Sequence, residues 1–319
     1  MKCVVTGGAG FIGSHLVEQL IKQGHEVSVL DNLSTGHREY CNNCFFEQVD
    51  LSTVCPSLDG VDVVFHLAAL ADIVPSIDNP IKYYNSNVTS TINVLEESRK
   101  SKVRKFIYAA SASCYGIPQN IPVKETDYID PKYPYALTKY LGEQLVLHWG
   151  KVYKMPVVSL RLFNVYGPRS RTTGAYGAVF GIFLTQLYYN KPLTIVGDGY
   201  QTRDFIYVSD VIDAFVKAAN YGGNENIFNI GTGKQNTINY LADMLGGKER
   251  IFIPERPNEP KYIYADISKA KDLLEFVPKI SFEEGIKIMK DNIECWGTAP
   301  LWTPETIKEA TKGWFDCFG

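Results

Sequence analysis

The sequence predicts an α/β protein with a doubly wound parallel sheet of the Rossmann type and a smaller C-terminal α/β lobe. Strand-like and helix-like segments alternate through the first half of the 319-residue chain, as they do when parallel strands are joined by right-handed helical crossovers. After residue 165 the alternation stops and turn-forming residues become frequent, at Gly167, Gly174, Gly177, Gly197, Gly199, Gly222, Gly223, Gly231 and Gly233. We therefore expect a large lobe over residues 1–165, joined by part of 200–230, and a small lobe over 166–319.

The first elements form a βαβ unit. Residues 2–6 are typical of a short buried strand, and residues 11–23 carry apolar side chains at helical spacing. Gly24 is placed to end that helix, because glycine tolerates a positive φ. Residues 26–30 are typical of a second strand, which Asp31 closes.

A glycine-rich turn, with the spacing G-x-x-G-x-x-G, joins the first strand to the helix. We expect Gly7 to allow a tight turn, Gly10 to let the backbone approach a pyrophosphate, and Gly13 to let the helix lie close to the sheet. The first helical residues, Phe11 and Ile12, offer backbone N–H groups and the positive end of the helix dipole to phosphates. The strand before the turn, the helix after it and the acid after the next strand predict a dinucleotide site rather than a purely structural turn.

The acid that ends the second strand selects among dinucleotides. A carboxylate at this position accepts both hydroxyls of an adenosine ribose and repels a 2′-phosphate, and no arginine follows it directly. Asp31 therefore predicts NAD rather than NADP. The polar loop after it provides further candidate contacts to ribose and phosphate, at Asn32, Ser34, Thr35 and Gly36.

Two later strands, over residues 45–49 and 61–67, end in residues suited to a cofactor. A carboxylate can meet the amino group of an adenine, a leucine can pack on its ring, and small residues let a cofactor pass close to the backbone. The candidates are Asp50, Leu51, Leu67, Ala68 and Ala69. We interpret His66, inside the apolar strand, as a hydrogen-bonded core histidine rather than a catalytic one.

The following segments complete the alternation. The pattern predicts one long helix over 80–100, a strand over 105–110, a helix over 135–149 and a strand over 156–162. We also assign three residues of these segments to the cofactor, namely Asn87, Ala109 and Leu162.

Composition excludes several classes of function. The formal net charge of −3 provides no basic footprint for nucleic acid or an anionic membrane. No run of 18 apolar residues is present, so we expect no membrane span. A first strand that begins at residue 2 leaves no room for a signal peptide, so we expect a cytoplasmic protein.

The seven cysteines are scattered, which argues against a disulfide framework. His37, Cys41, Cys44 and Cys55 could form a tetrahedral zinc site, because Cys41 and Cys44 make a C-x-x-C pair. A second closely spaced pair is missing from the sequence. We therefore interpret these residues as ordinary thiols and predict no metal site.

Three residues of the first half suggest acid–base chemistry at a hydroxyl group. Tyr135 and Lys139 are four residues apart on the predicted helix and so share one face. An ammonium neighbour, with a positive nicotinamide ring nearby, is expected to lower the pKa of the tyrosine and favour its phenolate. Ser111 ends a predicted strand and can donate to the same substrate oxygen.

With these motifs the chain resembles the extended short-chain dehydrogenase/reductase family, in its nucleotide-sugar epimerase and dehydratase branch. The resemblance extends from the glycine turn over 6–13 to the segment 265–270. It implies NAD bound by the large lobe and a nucleoside-diphospho-sugar, most often UDP-linked, bound by the small one. It also implies a homodimer formed through the helices over 80–100 and 135–149.

The residues after Ser111 reduce the number of activities that the resemblance allows. The 4,6-dehydratases of this family carry an Asp-Glu pair where this chain has Ala112 and Ser113. Decarboxylases place a glutamate at the position of Ser113, and 3,5-epimerising members place a cysteine there, whereas Cys114 is one residue away. The remaining Ser-Tyr-Lys set is sufficient for C4 epimerisation. A UDP-glucuronate 4-epimerase, a related decarboxylase or oxidoreductase, and a non-catalytic NAD-binding protein remain as alternatives.

The resemblance also assigns the substrate contacts by position. Arg203 and Arg256 correspond to arginines that bind the diphosphate, and Glu259 to an acid that accepts the ribose hydroxyls. Ile263 stands where a large tyrosine closes the pocket of some members against 2-acetamido sugars, so we expect N-acetylhexosamines to be tolerated. The predicted substrate site comprises Ser111, Ser113, Asn164, Arg203, Arg256, Glu259 and Ile263.

The last residues extend past the usual end of the family. Thr303, Pro304 and Glu305 are typical of a helix start, and Gly313 of a helix stop. The aromatic residues of this tail favour a helix that docks on the small lobe of its own chain; contact with a partner subunit is the alternative.

Overall fold

The computed structural model describes residues 1–170 and 178–319; the predicted turn residues Gly174 and Gly177 lie outside this part of the chain. Strands in the described residues are β1 (Lys2–Thr6), β2 (Glu26–Asp31), β3 (Phe45–Gln48), β4 (Val63–His66), β5 (Lys105–Ser111), β6 (Val157–Leu162), β7 (Asn164–Tyr166), β8 (Leu193–Val196), β9 (Thr202–Arg203), β10 (Phe205–Tyr207), β11 (Ile227–Ile230), β12 (Asn236–Thr237) and β13 (Arg250–Ile253). Helices in the same residues are α1 (Phe11–Lys22), α2 (Ile73–Asp78), α3 (Pro80–Tyr84), α4 (Ser90–Lys100), α5 (Pro134–Tyr153), α6 (Val179–Tyr188), α7 (Val208–Asn220), α8 (Ile238–Leu245), α9 (Ser268–Leu274), α10 (Phe282–Asp291), α11 (Pro304–Ala310) and α12 (Lys312–Phe318).

Seven parallel strands form the central sheet, in the order β11-β6-β5-β4-β1-β2-β3. This confirms the predicted doubly wound α/β class. The order reverses between β1 and β4, because the chain first builds outward through β2 and β3 and then returns to the other side of β1. Ligands bind at such a switch point in open α/β sheets.

Both faces of the sheet are buried, as is usual for parallel strands. Successive side chains of β1 point to opposite faces: Cys3 and Val5 belong to the core beneath α1 and α7, and Val4 to the core beneath α4 and α5. Helices therefore cover the sheet on two sides and leave its carboxyl edge open to a ligand.

In the described C-terminal residues, the remaining strands form three two-stranded sheets with helices around them. Strands β7 and β10 pair in parallel, as do β8 and β13, while β9 and β12 are antiparallel. These short strands carry the loops that face the carboxyl edge of the central sheet. One later strand, β11, instead joins the central sheet beside β6.

The predicted helix over 80–100 is interrupted. Between α3 and α4 the chain forms a π-helical turn over Asn85–Thr89. The amide of Asn87 in this turn is buried, where it accepts from the Leu70 N–H at 2.8 Å and donates to the Leu70 carbonyl at 3.0 Å and to Thr138 Oγ1 at 3.0 Å. A π-helical turn contains one residue more than an α-helical turn, and here it occurs where Asn87 bonds to two other segments. Hydrophobic periodicity does not reveal such contacts.

The C-terminal tail folds back onto its own chain. Thr303 caps α11 with Pro304 in the first turn, as predicted. The prediction that Gly313 stops a helix is wrong, because Gly313 lies inside α12. A Cβ at Gly313 would lie 2.6 Å from the Asp78 carboxylate, so glycine allows α12 to pack against α2 of the first half as well as against C-terminal elements.

Among the described helices, none has both the length and the apolar character needed to cross a bilayer.

Candidate active site

A cleft of about 910 Å³ lies over the carboxyl ends of the central strands. The predicted residues that line it are Gly7, Gly10, Phe11, Ile12, Asp31, Asn32, Ser34, Thr35, Asp50, Leu51, Leu67, Ala68, Ala69, Ala109, Ser111, Ser113, Tyr135, Lys139, Leu162, Asn164, Arg203, Arg256, Glu259 and Ile263. The structure therefore brings nearly all candidate contacts into one continuous space. Gly36 and Asn87 do not line it.

The glycine turn forms the floor of one end of the cleft. Gly7 has φ of 69°, and a Cβ there would lie 2.7 Å from the Ala68 nitrogen, so only glycine fits this crossing of β1 and β4. The N-cap of α1, Gly10, provides no side-chain cap. The N–H groups of Phe11 and Ile12 belong to the first helical turn, which lacks intrahelical acceptors, so they can bind a pyrophosphate.

Asp31 lies at the end of β2 with one backbone donor on each carboxylate oxygen. The Ala9 N–H donates to Oδ2 at 3.0 Å and the Leu33 N–H donates to Oδ1 at 2.8 Å. Burial raises the pKa of Asp31, and these two hydrogen bonds oppose the rise. Each oxygen retains a free lone pair, so the carboxylate can still accept the two hydroxyls of a ribose.

Gly36 supports the floor from behind. A Cβ there would lie 2.9 Å from Ala9, and the next residue, His37, donates its N–H to the Ala9 carbonyl at 2.9 Å. The loop after Asp31 is therefore held against the glycine turn. Gly36 and Asn87, both predicted cofactor contacts, support segments that line the cleft but do not line it themselves.

Ser111 ends β5 and caps a short 3₁₀ helix over Ala112–Tyr115. Its hydroxyl oxygen accepts from the Ser113 N–H at 3.2 Å and from the Ser113 hydroxyl at 2.9 Å. The Ser111 hydroxyl also lies near the phenol of Tyr135, where it favours a lower pKa. Because both acceptor positions of Ser111 are taken, its own proton is available for the phenol oxygen or for a ligand oxygen beside it.

The protein's own groups do not produce the predicted lowering of the pKa of Tyr135. Burial raises this pKa, and the nearby Ser111 hydroxyl only partly opposes the rise. Burial also lowers the pKa of Lys139 to about 7, against the attraction of Glu143. The Lys139 ammonium stands 4.5 Å from the centre of the Tyr108 ring. The described groups around Tyr135 therefore do not favour the predicted phenolate by themselves, whereas the positive charge of a bound nicotinamide would favour it.

His66 is fully buried and hydrogen-bonded at both ring nitrogens. Nδ1 lies 2.7 Å from Thr6 Oγ1 and Nε2 lies 2.9 Å from Thr91 Oγ1. Thr91 donates its proton to the Asn87 carbonyl and Thr6 accepts from the Ala68 N–H, which assigns the neutral tautomer with the proton on Nε2. Burial, and secondarily Lys139, lower the pKa of His66 to about 3. This is the core histidine that we expected.

The opposite end of the cleft carries the two candidate arginines and their acid. Glu259 lies 3.5 Å from Arg203 Nη2 and 3.0 Å from Arg256 Nε. Arg203 also donates to the carbonyls of Thr202 at 2.9 Å and Pro260 at 2.8 Å. The three side chains form a partly buried group that can present guanidinium N–H groups to phosphate oxygens.

Ile263 is buried in the wall of the cleft beside Ala112 and Phe163. Asn164, by contrast, begins β7 with an exposed side chain in the cleft. Both are predicted to contact the sugar nucleotide, and both line the cleft.

A buried ion pair supports the floor of the site. Arg161 Nη2 donates to Glu143 Oε1 at 2.7 Å, and Arg161 Nη1 donates to the Tyr115 hydroxyl at 2.8 Å. Tyr115 in turn donates to Asn229 Oδ1 at 2.7 Å. This network joins α5, β6, β11 and the 3₁₀ helix after Ser111, so it fixes the elements that carry Ser111 and Tyr135.

Sequence reasoning missed several residues of the cleft wall. Tyr133 lines the cleft directly before α5, and Trp296 and Trp302 line it from the C-terminal tail. The aromatic character of the tail was visible in the sequence, but its path across the cleft depends on long-range packing. The only local signal was that large aromatic residues are costly to leave in water.

The cysteine motif forms no converging set of metal ligands in the described ranges 1–170 and 178–319. His37 instead lies 3.2 Å from the Glu39 carboxylate. The Cys41 thiol donates to the Gly8 carbonyl at 3.4 Å, and the Cys44 thiol to the Cys41 carbonyl at 3.5 Å.

Comparison with known proteins identifies the relatives of this chain. Residues 3–231 match the NAD dependent epimerase/dehydratase family. UDP-glucose 4-epimerase of Mycolicibacterium smegmatis is 35% identical over 302 residues, which cover 90% of this chain and 96% of that protein. UDP-glucuronic acid decarboxylase 1 of Arabidopsis thaliana is 36% identical over 307 residues, which cover 91% of this chain and 69% of that protein.

Solved structures agree with these matches. UDP-glucose 4-epimerase of Thermotoga maritima, solved with UDP-glucose, has a TM-score of 0.86 and 35% identity, covering 92% of this chain and 99% of that one. UDP-glucuronic acid 4-epimerase of Bacillus cereus, solved with UDP-glucuronic acid and NAD, has a TM-score of 0.83 and 35% identity, covering 92% and 99%. Both epimerases and decarboxylases thus stand among the relatives.

Proposed function

Because the chain belongs to the NAD dependent epimerase/dehydratase family, we propose that it inverts C4 of a nucleoside-diphospho-sugar by transient oxidation to the 4-keto sugar. NAD is the cofactor of this family, and the glycine turn and Asp31 fit it. The observation that carries the proposal is that Ser111, Tyr135 and Lys139 line the same cleft as the glycine turn and Asp31. Ala112 and Ser113 follow this serine and offer no acid or base for dehydration or decarboxylation.

Tyr135 acts as the general base and acid. Its phenol oxygen takes the proton of the sugar 4-hydroxyl and later returns it to the 4-oxygen after the configuration at C4 has been inverted. Bound NAD would supply reversible hydride chemistry at C4 without net oxidation of the sugar. Ser111 donates to the same sugar oxygen and holds it during proton transfer. Lys139, one helical turn after Tyr135, contributes a donor for the nicotinamide ribose; with its pKa lowered to about 7, it is only partly charged near neutral pH.

The arginine end of the cleft binds the diphosphate. Arg203 and Arg256 supply charge-assisted hydrogen bonds to the two phosphates, and Glu259 accepts the hydroxyls of the nucleoside ribose. Anchoring at the diphosphate leaves the sugar free to turn over between its oxidation and its reduction, which presents the opposite face of C4.

The sugar pocket is proposed to accept both hexoses and N-acetylhexosamines. Ile263 occupies less space in the wall than a tyrosine would, so an acetamido group at C2 can be accommodated. UDP-glucose/galactose and the corresponding N-acetyl pair are therefore the proposed substrates.

We further propose a homodimer formed through α3, α4 and α5. These helices expose apolar side chains, among them Ile81 at 71%, Tyr84 at 46% and Leu137 at 44% relative accessibility. Helices α3 and α5 pack against each other, so these side chains lie on neighbouring elements. A second copy would cover them.

One assay tests the reaction. Purified protein is incubated separately with UDP-glucose, UDP-N-acetylglucosamine and UDP-glucuronate, without added NAD, and the sugars are identified. The C4 epimers of the first two, with no free NADH, are expected. Conversion of UDP-glucuronate alone would favour the glucuronate 4-epimerase, release of carbon dioxide would favour a decarboxylase, and no product with any of them would reject an epimerase.

A further inference from the structure

Tyr133 lines the cleft beside Tyr135. Its ring stacks on the ring of Tyr135, with centroids 6.5 Å apart and planes within 8°. Its hydroxyl lies in the field of the arginine group, because Glu259 raises the pKa of Tyr133 while Arg203 and Arg256 lower it. Burial is the largest cause of the raised pKa, so this phenol stays neutral.

Tyr133 is held from behind by the last helix. The fully buried Trp314 of α12 packs against Tyr133 with ring centroids 5.4 Å apart. Trp314 Nε1 also donates to the Pro257 carbonyl at 2.9 Å. Because Pro257 directly follows Arg256, one indole contacts both the tyrosine and the loop that carries the arginine.

We propose that Tyr133, fixed by Trp314, is a positioning and specificity-determining residue for the sugar, so that the C-terminal helix is part of the substrate site. This rests on the proposed function: the sugar extends from Tyr135 at C4 to the arginines at the diphosphate. Tyr133 contacts Tyr135 directly and is linked through Trp314 to the loop that carries Arg256. Its ring flanks the C–H face of the bound sugar, and its hydroxyl faces the sugar hydroxyls or the diphosphate.

Tyr133 is the N-cap of α5 and its backbone is extended, so it precedes the helix proper. Its ring orientation therefore depends on packing against Trp314. Without the indole, the Tyr133 ring loses one wall and the Arg256 loop loses its hydrogen bond. The two residues therefore act as a unit, and truncating either one is expected to loosen the sugar pocket.

The test measures KM, kcat and Kd for Tyr133→Ala, Tyr133→Phe, Trp314→Ala, Trp314→Phe and the double alanine variant. Tyr133→Ala is expected to raise the KM for UDP-glucose about tenfold and to change kcat less. Trp314→Ala should act in the same direction, and Trp314→Phe should largely restore the wild-type value. The double variant should be no worse than Tyr133→Ala, because the residues form one unit.

A matched truncation separates positioning from stability. Trp149 lies on α5, packs against the other face of the sheet and does not line the cleft. Trp149→Ala should lower the melting temperature and leave KM unchanged. If Trp314→Ala behaves like Trp149→Ala, or if the double variant shows the product of the two single effects, the proposal is overturned.

Calorimetric binding of UDP and of UDP-glucose distinguishes this proposal from the reaction itself. Tyr133→Ala should weaken UDP-glucose more than UDP. Equal weakening of both ligands rejects a role at the sugar. Tight binding of UDP-glucose by the wild type without turnover rejects the epimerase alone, and no binding of any UDP-sugar by the wild type rejects both.

Discussion

Ser113 donates its hydroxyl to the hydroxyl oxygen of Ser111 across 2.9 Å, and its backbone N–H donates to the same oxygen across 3.2 Å. These two bonds orient Ser111 so that its proton is directed to Tyr135 or to the substrate oxygen beside it. Under the proposed function, Ser113 is therefore part of the hydrogen-bond chain that ends at the sugar 4-hydroxyl.

Ser111→Ala should reduce kcat about a hundredfold or more, because it removes the donor to the reacting oxygen. Ser113→Ala leaves that donor in place and removes only one of its two orienting bonds, so a loss of about tenfold is expected. Steady-state epimerisation of UDP-glucose measures both, with bound NAD content as the control for an intact cofactor site. Equal losses in the two variants would contradict a merely orienting role for Ser113.

The Arg203–Glu259–Arg256 group predicts a split between two ligands. Arg256→Ala should weaken UDP about tenfold or more, because a hydrogen bond to a charged group is lost. Glu259→Gln should weaken the binding of UDP, because Glu259 is proposed to accept hydrogen bonds from the ribose hydroxyls. It should not weaken the binding of inorganic pyrophosphate, because both guanidinium groups remain. Calorimetry with the two ligands measures this, and a parallel loss for both in Glu259→Gln would argue against the ribose contact.

The central sheet could be predicted because its signals are local. Strands such as β1 are short apolar runs in the sequence. The glycine turn indicates where the backbone at Gly7 passes close to the backbone at Ala68. Part of 200–230 was expected to join the large lobe, but the pairing of β11 with β6 depends on contacts between distant segments, so the strand and its partner could not be named. The π turn at Asn87 escaped for the same reason, because its amide is satisfied by Leu70 and Thr138 rather than by its own helix.

Much of the candidate site could also be anticipated, since most of its residues follow the ends of predicted strands. Their individual roles remain predictions. The pKa of Tyr135 could not be anticipated, because burial depends on the closed cleft around it. Tyr133 and Trp314 were missed because their meeting depends on where α12 docks, and the close contact of Gly313 with Asp78 that allows this docking looks in the sequence like a helix end.

His66 predicts a pH dependence of stability. Its pKa is lowered from 6.5 to about 3, so the unfolded chain binds the additional proton between these values. The free energy of unfolding should therefore fall as pH falls through this window, by about 3 kcal/mol from this residue between pH 7 and 4. Urea unfolding of wild type and His66→Gln at both pH values measures the difference. An equally steep fall in the variant would show that other groups dominate.

The exposed apolar side chains of α3 and α5 predict a dimer that charge can separate. Ile81→Asp with Leu137→Asp should give a monomer in sedimentation experiments, because two buried carboxylates would face the partner. Val277→Asp is the matched control, since Val277 is exposed at 52% and lies outside these helices. A monomeric wild type, or a double variant that stays dimeric, would reject this interface.

Ile263 predicts the substrate range. It is buried in the cleft wall with Ala112 and Phe163, so a larger side chain must extend into the sugar pocket. Ile263→Tyr should lower kcat/KM for UDP-N-acetylglucosamine about a hundredfold and for UDP-glucose about tenfold at most, since only the former must place an acetamido group there.

Ile263→Val, which keeps the pocket open, should process both substrates and serves as the control for altered packing. Melting temperatures of the variants show whether the tyrosine strains the wall, for which about 1–3 kcal/mol is usual. A wild-type enzyme that converts UDP-glucose but neither N-acetyl sugar would refute the proposed tolerance. An equal loss for both sugars in Ile263→Tyr would show instead that the tyrosine disturbs Ser111, whose 3₁₀ helix packs against the same residue.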